Sequence, residues 1–244
     1  MACEGLNDPA RTCIQRHTTY KGISMKRTPT VLLLTLALAA APAFAADNIS
    51  KVNGAVRAEA GQTYGNIETV NGSVTIDDGA TVREASTVNG SISIGDNARA
   101  HSLETVNGGI KAGSRVQVEG SVETVNGSVF FDRGSRVGDD VETVNGAIGL
   151  VDTDVGGNLE TVTGDITVGI GSHVKGGIKV EKPKGNFNLN EKRTPRIVIG
   201  PNAVVEGPLV FEREVTLYVH RTAKIGPVTG ATAKSFDTPT APND

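Results

Sequence analysis

Apolar residues recur along the chain with a period close to six, and the polar residues between them alternate with period two. Such alternation is typical of short strands with one buried face. The pattern predicts strands whose apolar residues, including the Val of each Glu-Thr-Val-Asn-Gly unit, face inwards. Between residues 70 and 98 the branched apolar positions are Val70, Ile76, Val82, Val88 and Ile94, and the small or branched positions four residues later are Val74, Ala80, Ser86, Ile92 and Ala98.

The pentapeptide Glu-Thr-Val-Asn-Gly sets a longer period. Its Asn recurs at intervals of 18, 18, 18, 19 and 19 residues, and Thr163-Gly164 follows 18 residues later as a degenerate copy. Units this short cannot bury an apolar face alone, so each must stack on the next. The Asn positions are Asn53, Asn71, Asn89, Asn107, Asn126 and Asn145.

This period predicts an all-β fold, a single-stranded parallel β-helix (β-solenoid) with 18–19 residues per triangular coil. Like strands pair in parallel with like strands of the next coil. We expect about nine coils in a rod roughly 40 Å long, at about 4.8 Å per coil. The crossover preference of parallel strands favours right-handed winding.

The Asn-Gly dipeptide marks one corner of the coil. Asn and Gly tolerate positive φ, and stacked Asn amides can hydrogen-bond along the axis. We interpret the Asn column as architectural, with a repetitive ligand-binding stripe as the alternative. The 19-residue coils carry their extra residue on the side that precedes the Glu, so we expect that side to be irregular or bulged.

The start of the chain has the layout of a secretory signal peptide. Lys26 and Arg27 precede an apolar run over 31–45, which ends in small residues and predicts cleavage after Ala45. The run is shorter than the roughly 20 residues of a membrane span, so we expect no integral span after cleavage. We interpret 25–45 as the signal peptide and 1–24 as a mis-assigned upstream start; a genuine N-terminal extension is the alternative.

The remaining chain divides into a solenoid and a tail. We expect the solenoid over 46–228, with a protruding basic loop at 181–195 where two prolines and several cations break the rhythm. Residues 229–244 contain prolines and few apolar groups, which predicts a disordered tail.

Charge and cysteine content narrow the classes of function. Residues 1–45 hold five of the 24 basic and two of the 27 acidic residues, so the mature chain carries 19 and 25. An acidic balance argues against a nucleic-acid partner. Both cysteines, Cys3 and Cys13, precede the signal peptide, so we expect no disulfide and no thiol chemistry in the mature chain.

Two charged features are candidate interaction sites. A column of carboxylates is interrupted by Ser86 and ends near Lys179. Like charges one strand apart repel, so either solvent screens them or cations lie between them. The column is Glu68, Glu104, Glu123, Glu142 and Glu160, and the cations of the loop are Lys182, Lys184, Lys192 and Arg193.

No pattern indicates catalysis, a cofactor or a metal site. His101 and His173 lie about four coils apart, roughly 19 Å along the axis, too far to share a zinc ion. Asp152 and Asp154 resemble half a calcium loop without its bidentate Glu. The column of Thr beside the Val resembles ice-binding solenoids, which need a second regular column; here that column would be the Asn corner.

Two stretches resemble known families. Glu142-Thr-Val-Asn-Gly-Ala-Ile148 resembles secreted bacterial β-strand-repeat proteins described as adhesin-like. Ile199-Gly-Pro-Asn-Ala-Val-Val-Glu-Gly207 resembles bactofilins, polymer-forming proteins built on a right-handed triangular β-helix. The resemblance covers roughly residues 50–228 and implies a solenoid without catalytic residues. A signal peptide distinguishes this chain from the cytoplasmic bactofilins.

These observations together predict an exported, non-enzymatic structural or adhesin-like repeat protein in the periplasm or at the cell surface of a bacterium. The pattern shows no capping helix before the first coil, and an open solenoid end is a template for pairing. We therefore expect association with itself, end to end, or with cell-envelope components. The alternative is an envelope module that binds cations, glycans or anionic polymers through the Glu column or the basic loop.

Overall fold

The computed structural model describes residues 47–183 and 193–242. Within these ranges all regular structure is β-strand, and the strands pair in parallel with their counterparts one coil away. No helix in this part of the chain is long and apolar enough to cross a membrane. The parallel β-solenoid predicted from the repeat is therefore confirmed.

The first side of each coil follows the Asn-Gly corner and forms a sheet of ten strands, so the described chain winds through ten coils, one more than expected. The strands of the first side are β2 (Val56–Ala58), β4 (Val74–Ile76), β6 (Ile92–Ile94), β8 (Ile110–Ala112), β11 (Val129–Phe131), β14 (Ile148–Leu150), β17 (Ile166–Val168), β20 (Arg196–Ile199), β23 (Thr216–His220) and β26 (Ala233–Phe236).

The other two sides begin as one continuous surface and then separate. In the first four coils one long strand serves both; these strands are β1 (Asp47–Asn53), β3 (Thr63–Asn71), β5 (Thr81–Asn89) and β7 (Arg99–Asn107). Later coils carry two strands. Those of the second side are β9 (Gln117–Val118), β12 (Arg136–Val137), β15 (Asp154–Val155), β18 (His173–Val174), β21 (Val204–Val205) and β24 (Lys224–Ile225). Those of the third side are β10 (Val122–Asn126), β13 (Val141–Thr143), β16 (Leu159–Thr161), β19 (Ile178–Val180), β22 (Leu209–Phe211) and β25 (Val228–Thr229).

The separation occurs at β7, which pairs with both β9 and β10. Ala100 pairs with Val118 and Leu103 pairs with Val122, so the later coil has one more residue between these two positions. That residue makes room for a corner between two strands. The irregularity expected ahead of the Glu therefore lies at the junction of the second and third sides.

The inward face of the third side differs from the expected one. Thr69 and Thr87 are 4% exposed, whereas Val70 and Val88 are about 40% exposed. The prediction that the Val of each unit faces inwards was wrong, and Val106 likewise lies half-exposed. Successive side chains of a strand point to opposite faces, so a strand that points Leu103 and Thr105 inwards must point Val106 outwards. The six-residue spacing of inward positions therefore ends at the corner that follows this Val.

The buried Thr column is hydrogen-bonded between coils. Each hydroxyl from Thr69 to Thr143 donates to the carbonyl of the corner glycine of the preceding coil, at 2.9–3.1 Å. In the next coil Thr161 accepts instead, from the backbone N–H of Gly164 at 3.0 Å. A buried polar column is tolerated because every hydroxyl has a partner.

The glycine of the Asn-Gly corner is required by close stacking. A Cβ on Gly90, Gly108, Gly127 or Gly146 would lie 1.9 Å from the carbonyl oxygen of the preceding corner glycine. Among the glycines of the Asn-Gly dipeptides, the expected reason, positive φ, applies only to Gly54.

Positive φ occurs instead at the corner between the first and second sides. Glycine has no steric penalty there, and Asn and Asp tolerate the left-handed region. The residues of this column are Gly61, Gly79, Asn97, Arg115, Gly134, Asp152, Gly171 and Asn202.

The insertion between β19 and β20 leaves the stacking of the coils in register. Ile166 pairs with Ile197 across the interruption, so the coil resumes in phase. The centre of the predicted loop, residues 184–192, lies outside the described residues.

The C-terminal segment corrects the expectation of a disordered tail from residue 229. β26 pairs with β23, and the ring of Phe236 packs edge-on against Tyr218 and His220. Ala241 packs on the same cluster, and the Arg196 guanidinium donates to the Pro242 carbonyl at 2.7 Å. The composition of this segment suggested disorder because it has few apolar side chains, but these side chains pack on a sheet that the preceding coils have already formed.

We expect Gly108→Ala to lower the free energy of unfolding by about 3 kcal/mol or more, because the new methyl group would overlap a backbone oxygen that cannot move without separating two coils. Denaturant unfolding measures this. The matched control is Gly149→Ala, whose Cβ would meet only the edge of the Phe130 ring at 3.2 Å. Equal losses in the two variants would contradict the stacking argument.

We expect Phe236→Ala to release the last coil without unfolding the rest, because a solenoid coil contacts only its neighbours. Hydrogen exchange should show loss of protection confined to the region of β26, with the main unfolding midpoint nearly unchanged. Phe131→Ala, in the centre of the core, should instead lower the main midpoint. A lowered main midpoint in Phe236→Ala would show that the last coil stabilises the whole solenoid.

Candidate interaction face of the solenoid

The outward surface of the third side carries three parallel columns of side chains. Along β7, Leu103 and Thr105 point inwards, Glu104 and Val106 point outwards, and Asn107 stands at the corner. Because successive strands pair in register, each residue type forms its own column. We call this surface the Glu–Val face. It consists of the Glu column, the Val column (Val52, Val70, Val88, Val106, Val125, Val144 and Val162) and the Asn column.

Four of the five predicted Glu residues are direct neighbours. Glu104, Glu123, Glu142 and Glu160 occupy paired positions in successive strands. Glu68 stands apart, because Ser50 and Ser86 flank it in the neighbouring strands. The structure therefore places a block of four carboxylates in the middle of the solenoid.

Glu142 lies within this block, between Glu123 and Glu160. Partial burial raises the pKa of Glu142 above its ordinary value, and the charges of Glu160 and Glu123 raise it further. The block ends at Lys179, which pairs with Glu160 in the next strand. Lys179 forms an ion pair with Glu181, and this hydrogen bond raises the pKa of the lysine.

The Val column is an apolar stripe that the sequence pattern did not reveal. In the described part of the chain six large hydrophobic residues are strongly exposed, and five of them belong to this column. Their exposed fractions range from 36% at Val144 to 67% at Val52. The sixth, Ile170, lies elsewhere in the fold. A continuous exposed apolar stripe is typical of contact surfaces.

The Asn column forms a continuous amide ladder along the edge of the face. Each Nδ2 donates to the Oδ1 of the preceding Asn at 2.9–3.1 Å, from Asn53 to Asn145. Thr163 continues the ladder, with its hydroxyl donating to Asn145 Oδ1 at 2.8 Å. The ladder holds the corner rigid and uses one of the two N–H groups of each amide.

A shallow, open groove follows the face between the Glu and Val columns. It is lined by Glu104, Glu123, Glu142, Glu160 and Glu181 on one side, and by Val106, Val125, Val144 and Val162 on the other. Its walls offer carboxylates and methyl groups at a repeat of about 4.8 Å.

The predicted basic loop is only partly described. Arg193 forms an ion pair with Asp165, and its carbonyl accepts from the guanidinium of Arg213. The backbone N–H of Lys182 donates to Glu212 at 3.2 Å. Lys184 and Lys192 lie outside the described residues, so a basic ligand site there stays a prediction.

The histidines are dispersed, each with its own partner. His173 lies 2.7 Å from Glu206, His101 lies 3.5 Å from Glu119, and the ring of His220 is buried beside Phe236. In the described residues no three His, Cys, Asp or Glu side chains are grouped closely enough to hold a metal ion.

Two of the sequence patterns have structural explanations. Asp152 belongs to the positive-φ corner column, where a short polar side chain eases the turn. The Thr column is buried, so it does not form the exposed surface that an ice-binding face needs.

We expect Glu142→Gln to raise the free energy of unfolding at pH 7 by about 0.2–1 kcal/mol, because it removes the central charge of four adjacent carboxylates. The pKa of Glu142 is raised in the folded state, so the native protein binds more protons than the unfolded chain as pH rises from the unfolded value of about 4.5. Native stability therefore falls over that range, and the variant's advantage should vanish below it.

Denaturant unfolding at pH 7 and pH 3.5 measures this difference. Glu68→Gln is the matched control, because the same side chain in the same column has serine neighbours and should change little. Destabilisation by Glu142→Gln at pH 7 would mean that the carboxylate has a favourable partner.

Comparison of the chain with protein-family models, curated proteins and solved structures gives no match.

Proposed function

We propose that this protein is an exported, non-enzymatic structural or adhesin-like repeat protein that acts through its Glu–Val face. The observation that carries the proposal is the concentration of strongly exposed hydrophobic residues in one column, bordered by carboxylates on one side and by an amide ladder on the other. Isolated exposed apolar residues need no explanation, but a continuous stripe does.

The repetition of the face suits adhesion or scaffolding. Each coil presents the same groups at the same height, so a partner with a matching repeat makes many weak contacts at once. The inter-coil bonds of Thr and Asn hold these groups in fixed positions, which lowers the entropic cost of binding.

The ends of the solenoid favour contact along this side over contact end to end. Lys51 is in register with Thr69 and so occupies the inward column in the first coil, where its ammonium donates to the Ala55 carbonyl at 2.9 Å. A charge at such a position discourages the addition of another strand. At the other end Pro227, which lacks an N–H, directly precedes the edge strand β25.

A second candidate function is the binding of cations or cationic polymers. The block of four adjacent carboxylates favours it, since bound positive charge would relieve their repulsion. Calcium-dependent thermal stabilisation that Glu123→Gln and Glu142→Gln together abolish would support this function over the first.

The proposed function is tested by export and by envelope binding. The N-terminus of the protein recovered from the source cells should be Ala46, and the protein should be found outside the cytoplasm. Purified 46–244 should bind isolated envelopes, and Val88→Asp with Val125→Asp should weaken binding at least tenfold. Ser93→Asp with Thr167→Asp, on the first side, is the matched control. Cytoplasmic retention, or equal binding by both double variants, would overturn the proposal.

A further inference from the structure

We propose that the Glu–Val face pairs with the same face of a second copy, in a parallel dimer whose Val columns meet at the centre. This deepens the proposed function by naming an occupant of the face. It is tested on purified protein, so its outcome is independent of export and of envelope binding.

The order of the columns restricts how two such faces can meet. Across the face the order is Glu, Val, Asn, because Glu104, Val106 and Asn107 follow one another along the strand. A closed dimer needs a two-fold axis lying in the interface. That axis runs either along the solenoid or across it, and the two choices bring different columns together.

An axis along the solenoid gives two parallel copies and exchanges the edges of the face. Val then meets Val, and the Glu column of each copy lies opposite the Asn column of its partner. An axis across the solenoid gives antiparallel copies and keeps the edges in place. Val again meets Val, but Glu then lies opposite Glu and Asn opposite Asn.

Electrostatics selects the parallel arrangement. The antiparallel one, centred on Val106, would bring Glu104 against Glu104 of the partner subunit and each Glu142 against Glu68 of the partner subunit, so carboxylates would face carboxylates without a counter-charge. In the parallel arrangement Glu68, Glu104, Glu123 and Glu142 each face an Asn amide that keeps one N–H outside the ladder. A charge-assisted hydrogen bond can form across the interface in each of these four coils.

The apolar part of the contact is also regular. Val side chains stand one per coil, with the same repeat of about 4.8 Å in both copies, so each Val meets its own counterpart at the same height. Seven coils of about 4.8 Å by three residues of about 3.3 Å correspond to roughly 700 Å² over both copies, below the size of standard specific interfaces and in the range of weak, transient ones. The dimer should therefore be reversible.

Single cysteines in the Val column distinguish the two arrangements. Residues 46–244 contain no native cysteine, since Cys3 and Cys13 precede them. Val70 and Val144 are two coils from Val106, on opposite sides of it. In a parallel dimer each meets its own copy, so Val70→Cys and Val144→Cys should each cross-link alone under mild oxidation. In an antiparallel dimer they would meet each other and cross-link only when the two variants are mixed.

The matched control is Ser93→Cys, an exposed position on the first side. We expect each column variant to form disulfide dimers at least tenfold faster than this control, and the mixture to contain few mixed dimers. Rates equal to the control, or cross-links found mainly in the mixture, would overturn the proposal.

Sedimentation of the cysteine-free chain gives a second measurement. It should show a concentration-dependent dimer, and Val88→Lys with Val125→Lys should weaken dimerisation at least tenfold while leaving the circular dichroism spectrum unchanged. Both side chains are exposed, so the fold should tolerate these changes. A monomer at all concentrations would also overturn the proposal.

Discussion

Close stacking of backbone at the Asn-Gly corner is the constraint on which the rest of the structure depends. Successive corner glycines approach so closely that a Cβ would overlap the carbonyl of the coil before. This approach leaves one register available, because any slip would bring a larger residue into the column. With the register fixed, the Asn and Thr of the repeat, and Glu from residue 104 to residue 160, are stacked on residues of their own kind.

Stacking of like on like has opposite consequences for different residues. Stacking stabilises the Asn column, because each amide is both donor and acceptor and the amides form a hydrogen-bonded ladder. Thr gains as well, because its hydroxyl reaches a glycine carbonyl that the corner leaves available. Glu loses, because a column of carboxylates repels itself. Stability therefore does not account for the repetition of Glu at this exposed position, which is consistent with the contact function proposed for the Glu–Val face.

The two ends of the solenoid contain residues that the repeating middle coils lack. A lysine replaces Thr in the inward column of the first coil, and a short strand with an aromatic anchor completes the last one. Both features lie in single copies of the repeat, so the periodic pattern gave no sign of them.

The sequence by itself determined the fold: the 18–19-residue period, the parallel pairing and the identity of each column follow from repetition, because identical units can bury their faces only against one another. It also identified the Glu and Asn columns of the candidate face. Only the tertiary structure decided that Thr faces inwards and Val outwards. Hydrophobicity favours the opposite choice, and it is overruled because alternation within the strand is fixed by Leu103 and its equivalents, while the buried hydroxyl finds a carbonyl in the neighbouring coil. The tenth coil was likewise decided by tertiary structure, since Phe236 and Ala241 gain a buried surface only once β23 is in place.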